Sequence, residues 1–200
     1  LSEGLLRPRS PREILKTNKM SDEEKTEELH VWDFDGTLVN TPVPDTGRAQ
    51  YESETGLPWP HKGWWGRAES LEHPLTWSAG PAMDEFRALA DTNAHPRVRR
   101  VMMTGRRSKL APQVMAILTE FGVHVDEAVF NSSGQDTFTY KCHELGRMIR
   151  NEIRNAGGSL RVVRIWEDRA PHARGFDSYL RETFPGLEVN VTLVEPSIEG

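Results

Sequence analysis

Five short apolar runs, rich in β-branched residues and separated by helical patterns, leave this chain few folds to choose from. They lie at 29–34, 98–103, 125–130, 160–166 and 187–194, each the length of a buried strand. Between them, apolar residues return at helical spacing over 81–92, 108–121, 141–155 and 171–183. Strand and helix in alternation predict a mostly parallel sheet covered on both faces, an α/β three-layer sandwich of Rossmann-like type. The Gly157-Gly158 and Pro185-Gly186 pairs are the expected stops of the last two helices. There is no internal repeat.

Two stretches stand outside the alternation. Residues 1–28 are polar, charged and proline-containing, and are expected to form a disordered tail without the apolar centre of a secretory signal. Met20, followed by Ser-Asp-Glu-Glu-Lys, is a candidate translation start within it. Residues 39–80 hold five prolines and four of the six tryptophans (Trp59, Trp64, Trp65, Trp77) with weak periodicity, as a lid or small cap inserted after the first strand would. At least two of these tryptophans are expected to pack a local minicore. His61, Lys62 and Arg67 beside Trp64 and Trp65 also suit the stacking of bases next to phosphates. The remainder, 29–200, is expected to be one domain, large enough to bury a core without staples.

Composition narrows the class. A single cysteine, Cys142, forms no intrachain disulfide and fits a reducing, cytoplasmic compartment; it reads as a helix residue rather than a nucleophile. No apolar run approaches the length of a membrane span. The net charge of −5 argues against a broadly basic surface that coats nucleic acid, and leaves room for a local basic groove.

Chemistry concentrates where strands end. Val31-Trp32-Asp33-Phe34-Asp35-Gly36-Thr37-Leu38 finishes an apolar run with two aspartates one residue apart. On an extended backbone both project the same way, and two such carboxylates repel unless a cation lies between them or one keeps a proton. Gly36 and Thr37 would then turn the chain and offer N–H groups and a hydroxyl to an anion. A strand closed by a polar Asp-Gly turn reads equally well from these residues alone. The run 101–106 ends in Thr104-Gly105-Arg106, with a helix expected from near Ser108: a phosphate cradle or a plain N-cap. Lys141 opens a later helix, and lysines are mostly solvated. In Trp166-Glu167-Asp168-Arg169 adjacent acids close another strand, suited to a metal contact or to capping the next helix.

Taken in order, Asp-Phe-Asp-Gly-Thr, Thr-Gly-Arg, Lys and Glu-Asp-Arg resemble the four signature motifs of the haloacid dehalogenase (HAD) superfamily of phosphohydrolases, over residues 31 to 180. The continuation Asn40-Thr41-Pro42-Val43-Pro44, the Gly63-Trp64-Trp65 element and Trp-Glu-Asp-Arg-Ala-Pro-His resemble the HAD domain of the Swiss Army Knife RNA repair proteins. The resemblance implies a HAD-like fold and a phosphatase with Asp33 as nucleophile and Asp35 as general acid and base. It further implies that Thr104, Gly105 and Lys141 hold the phosphoryl group. Mg²⁺ would be bound by Asp33, the carbonyl of Asp35 and an acid from Glu167 or Asp168, with Asp168 the first choice. Motif four begins with Glu where many relatives have Asp, which leaves the inner ligand open.

Little extra sequence covers the expected site, so a terminal phosphate on a large substrate is accommodated. Trp64, Trp65, Arg106 and Arg169 are candidate substrate contacts, and Arg107 and Lys109 stand beside them. Three functions follow: a Mg²⁺-dependent phosphatase of nucleic-acid ends, foremost RNA 3′-phosphates; a HAD phosphatase for a small metabolite or nucleotide; and a catalytically weak phosphate-binding module. An intact Asp33, Asp35 and Lys141 argues against the last. The expected partner is a phosphorylated substrate, and no membrane.

Overall fold

The computed structural model describes residues 25–90, 97–155 and 159–195. Its centre is a five-stranded sheet of β1 (Glu28–Trp32), β4 (Val98–Arg107), β5 (Glu127–Asn131), β6 (Val162–Glu167) and β7 (Glu188–Leu193), in the order β5-β4-β1-β6-β7 with every neighbouring pair parallel. A two-stranded antiparallel ribbon, β2 (Val39–Asn40) with β3 (Ser78–Ala79), rises beside it. The helices are α1 (Pro44–Thr55), α2 (Met83–Leu89), α3 (Ala111–Glu120), α4 (Thr137–Asn155) and α5 (Ala170–Thr183).

Alternation along the strands divides the core into two layers of contact. Leu29, Val31, Val101, Met103, Val163 and Ile165 face α4 and α5, meeting Leu145, Met148, Ile149, Phe176 and Leu180. Trp32, Phe34, Met102 and Trp166 face the other way, toward α2 and α3, meeting Met83, Phe86, Val114, Ile117 and Leu118. With both faces covered, the strands can be apolar throughout, which is why they read as continuous runs. This is the expected α/β sandwich. Trp32 and Trp166, register partners on β1 and β6, stack with centroids 3.5 Å apart and planes 5° from parallel. That stack stands one residue before Asp33 and Glu167, so it sets the two strand ends level.

The chain runs outward from β1 through β4 to β5, then returns to β6 on β1's other side and ends at β7. Strand order therefore reverses around β1, and the crevice at such a reversal is where open α/β sheets bind ligands.

Several expectations need correction. Residues 39–80, expected as a lid or small cap, hold α1 and the β2–β3 ribbon, elements that the sequence reading did not place. α1 is polar, with Gly47 its one buried residue, so no apolar stripe announces it. Its punctuation was present, with Pro44 in the first turn and Gly56 closing the helix at φ 69°. β4 runs straight through Thr104 and Gly105 to Arg107, with a bulge between 104 and 107, rather than turning at the glycine. α4 starts one turn earlier than expected, where the Asp136 carboxylate accepts the Thr139 N–H at 3.0 Å. Of the expected tail, 1–24 lie outside the described residues; the next few join the sheet, the N–H of Arg161 reaching the Glu27 carbonyl at 2.8 Å. The Gly157-Gly158 stop also lies outside the described residues.

Candidate active site

Asp33 stands at the end of β1 and Glu167 at the end of β6, on the face covered by α4. α4 lays Lys141 between them, its Nζ 2.8 Å from Asp33 Oδ1 and 2.8 Å from Glu167 Oε2. All three are buried. Asp33 Oδ1 also accepts the Phe34 N–H at 2.8 Å, while no hydrogen bond to Asp33 Oδ2 is found among the described residues. One oxygen of Asp33 is thus pinned and the other is free.

Asp168 follows on the same strand end. Its Oδ2 lies where a Cβ at position 36 would be 2.5 Å away, and Gly36 has φ +72°, so position 36 needs a glycine on both counts. Its Oδ1 is buried without a partner among the described residues, an arrangement that proteins rarely leave unanswered. Donor oxygens of Asp33, Glu167 and Asp168 lie within 4.8 Å of one another. Glu167 has less to offer a ligand: Oε2 takes Lys141, and Oε1 faces Arg169 Nε at 3.2 Å and His172 Nδ1 at 3.8 Å.

Charge accounting explains the titration of this cluster. Three carboxylates surround one buried ammonium. Burial alone would raise Glu167, but Lys141 foremost, with Arg169, holds its carboxyl well below the usual range. Burial pushes Asp33 up, further than Lys141 pulls it down, and the Glu167 charge adds to the rise. Asp168 is raised by burial and then by Glu167. The cluster is short of positive charge by one or two units, which a proton or a divalent cation would supply. A hard cation suits an all-oxygen donor set, and the orphaned Asp168 oxygen suits it better than the occupied Glu167.

Asp35, two residues beyond Asp33, is held from the other side. Arg106 reaches it with Nε at 3.0 and 3.2 Å from the two carboxylate oxygens and with a second nitrogen at 2.8 Å; Thr41 Oγ1 donates to it at 2.5 Å. The remaining guanidinium nitrogen binds Ser70 Oγ at 2.8 Å and the Trp65 carbonyl at 3.2 Å. Arg106 is therefore buried with its whole fork engaged, not extended toward substrate. Residues 65 and 70 lie between β2 and β3, so that segment and the sheet meet at this side chain.

A cavity of about 310 Å³ opens over the carboxylates, with Asp33, Asp35, Gly105, Thr137, Asp168 and Arg169 in its wall and Val43 and Trp65 at its rim. Trp65 is 45% exposed and its ring lies 4.9 Å from the Arg106 guanidinium carbon. Trp64, its neighbour, is buried beside Trp59 and donates Nε1–H to the Pro42 carbonyl at 2.9 Å. Thr104 is wholly buried and its hydroxyl accepts the Arg106 N–H at 3.1 Å. The Gly36 N–H is spent on the Val39 carbonyl at 2.8 Å and the Thr37 hydroxyl is buried, so neither is open to an anion. Thr137 was not expected here; its signal was the i, i+4 spacing to Lys141, which puts both on one face of α4.

No family model matches the chain. Its fold is similar to two structures of the HAD domain of effector protein Lem4 from Legionella pneumophila. The inactive mutant is 12% identical, with a TM-score of 0.49 over 87% of this chain and 88% of that one. The other is also 12% identical, with a TM-score of 0.49 over 88% and 90%.

Proposed function

We propose that this chain is a Mg²⁺-dependent phosphohydrolase that works through an aspartyl-phosphate intermediate and removes terminal phosphates from nucleic acid. The observation that carries the reading is the unequal treatment of two aspartates two residues apart. Asp33 keeps one free oxygen in the cavity wall, while Asp35 is clamped by Arg106. A nucleophile needs a free lone pair; an acid needs a fixed direction.

In this mechanism Asp33 Oδ2 attacks phosphorus, and the bond to the leaving oxygen breaks as that oxygen takes a proton from Asp35. The same carboxylate then draws a proton from water as the water attacks phosphorus, which frees Asp33 and releases inorganic phosphate. Lys141 restrains the nucleophile's other oxygen, and Thr137 and the Gly105 backbone, in the same cavity wall, would hold phosphoryl oxygens. Asp33, Asp168 and the Asp35 carbonyl would hold the cation, which supplies charge neutralisation between an anionic nucleophile and an anionic ester. The cavity rim supports a large substrate: Trp65, backed by a guanidinium, is a stacking face for the base next to the scissile phosphate.

The test pairs Asp33→Asn with a substrate comparison. Wild type is expected to hydrolyse an aryl phosphate with Mg²⁺ and to prefer a 3′-phosphorylated oligoribonucleotide, and Asp33→Asn to lose both activities while unfolding at a similar temperature. Turnover retained by Asp33→Asn would sink the mechanism. A preference for small metabolite esters would remove the nucleic-acid substrate and leave the chemistry.

A further inference from the structure

A second cavity, of about 340 Å³, opens at the same edge of the sheet and takes no part in the chemistry above. It lies at the ends of β4 and β5, lined by Arg107, Ser108, Lys109, Asn131, Ser132 and Ser133. Its lining carries two cations, three serine hydroxyls and one amide, the amide and the Ser133 hydroxyl being bonded within the loop itself. Among the described residues, neither Arg107 nor Lys109 has a carboxylate partner. The nearest acid along the chain, Asp136, is engaged with the Thr139 N–H of α4.

One buried side chain shapes this open cavity, whose other lining residues are exposed. Asn131 is buried, and its Oδ1 accepts Ser133 Oγ at 3.2 Å and the Gly134 N–H at 3.0 Å while its amide nitrogen donates to the Gln135 carbonyl at 3.0 Å. That one side chain holds the loop after β5 in shape. Gly134, at φ +78°, lets the Arg107 guanidinium lie where a Cβ would be 2.7 Å from its Nη1. The cation is thus seated in the wall. Gly105 in the catalytic cavity and Arg107 in this one are two residues apart on β4, about 7 Å along a strand.

We propose that this cavity is a second phosphate subsite, which holds a substrate phosphate other than the one removed. Two cations without a carboxylate partner among the described residues, beside serine hydroxyls and two residues along β4 from Gly105 of the first cavity, match a dianionic or bridging phosphate. The proposal rests on the phosphohydrolase reading of the first cavity. The second phosphate comes either from the next phosphodiester of a nucleic-acid strand or from a second ester on one nucleoside.

The experiment compares wild type with the double variant Arg107→Ala/Lys109→Ala on four substrates: an aryl phosphate, a nucleoside 3′-monophosphate, a nucleoside 3′,5′-bisphosphate and a 3′-phosphorylated hexaribonucleotide. For the hexanucleotide, kcat/KM relative to the aryl phosphate is expected to fall about tenfold or more in the variant, and its log–log salt slope to shrink by about one. A parallel fall for the bisphosphate assigns the subsite to a second ester on one nucleoside; a bisphosphate that follows the monophosphate assigns it to the phosphodiester. An equal change for all four substrates, or none, overturns the proposal. Fluorescence anisotropy of a labelled hexanucleotide with a free 3′-hydroxyl separates the two readings. If no phosphate ester is hydrolysed yet the strand binds wild type and not the variant, the subsite stands and the phosphohydrolase falls. If the aryl phosphate is hydrolysed and the variant holds strand and substrates as wild type does, only the subsite falls.

Discussion

Arg106 shows most plainly how much a residue's role depends on where the chain takes it. Beside Arg107 and Lys109 in sequence it belongs to a basic approach; in the fold it is buried and directed at Asp35, and under the proposed mechanism that makes it a positioning residue for the group that carries the proton. A lysine at 106 would keep the charge and lose the planar two-pronged grip. Arg106→Lys is therefore expected to lower kcat about a hundredfold with little change in KM, since positioned proton transfer contributes roughly that much. The informative readout is the leaving group: an aryl phosphate with an acidic phenol needs little protonation and is expected to lose far less than an alkyl phosphate. An equal loss for both would mean that Arg106 supports the fold and not the proton transfer.

At the scale of elements, residues 39–80 are the part that sequence periodicity missed, and their joints explain why. α1 buries Gly47 against Trp64, whose ring atoms come to 2.1 and 2.3 Å of where a Cβ at 47 would sit. In an exposed helix, glycine to alanine is stabilising by about 0.5–1 kcal/mol. Here the sign is expected to reverse: Gly47→Ala would drive Trp64 off its bond to Pro42 and destabilise the protein by about 1–3 kcal/mol, the usual cost of overpacking. A raised melting temperature for Gly47→Ala would contradict the close packing. Limited proteolysis should cut that variant first within residues 44–80. Because α1 buries only Gly47 and meets its surroundings otherwise through Tyr51 on Trp59 and Gln50 on Thr76, no amphipathic stripe was there to read.

For the whole molecule, pH dependence of stability comes from groups far from the carboxylates as well as from them. His30, on the central strand, is buried against the Trp166 ring. Burial lowers its imidazole below the ordinary 6.5, more than the Glu28 carboxylate at 2.9 Å raises it. A base whose folded pKa is depressed takes up a proton first in the unfolded chain, so its contribution is present above about 6.5 and is lost as pH falls toward the folded value. Asp33 and Asp168, raised by burial, take up protons first in the folded chain and slope the other way, so the expectation is a difference: in urea unfolding from pH 7.5 to 5.5, His30→Gln shows less acid-linked loss of stability than wild type. His172, also lowered by burial, keeps some of it. An unchanged slope in His30→Gln would show that the imidazole titrates alike in both states.

What the amino-acid order determined by itself was the α/β alternation and the four polar clusters at its joints. Strand runs buried on both faces must be apolar throughout, and acids or lysines that end such runs stand out against them. Asp33, Asp35, Glu167 and Asp168 were legible on that ground, Gly105 and Lys141 only through the order of the motifs, and the structure collects them around one crevice. Only the tertiary structure decided their partners. Lys141 meets Asp33 and Glu167 across an interval of 108 and 26 positions because α4 packs on β1 and β6. Arg106 finds Asp35 rather than solvent, Thr104 is shut in, and the Asp168 oxygen is left unpaired. Local pattern records which side chains the backbone turns inward; which charges then face one another depends on contacts between distant segments, and no local pattern encodes those.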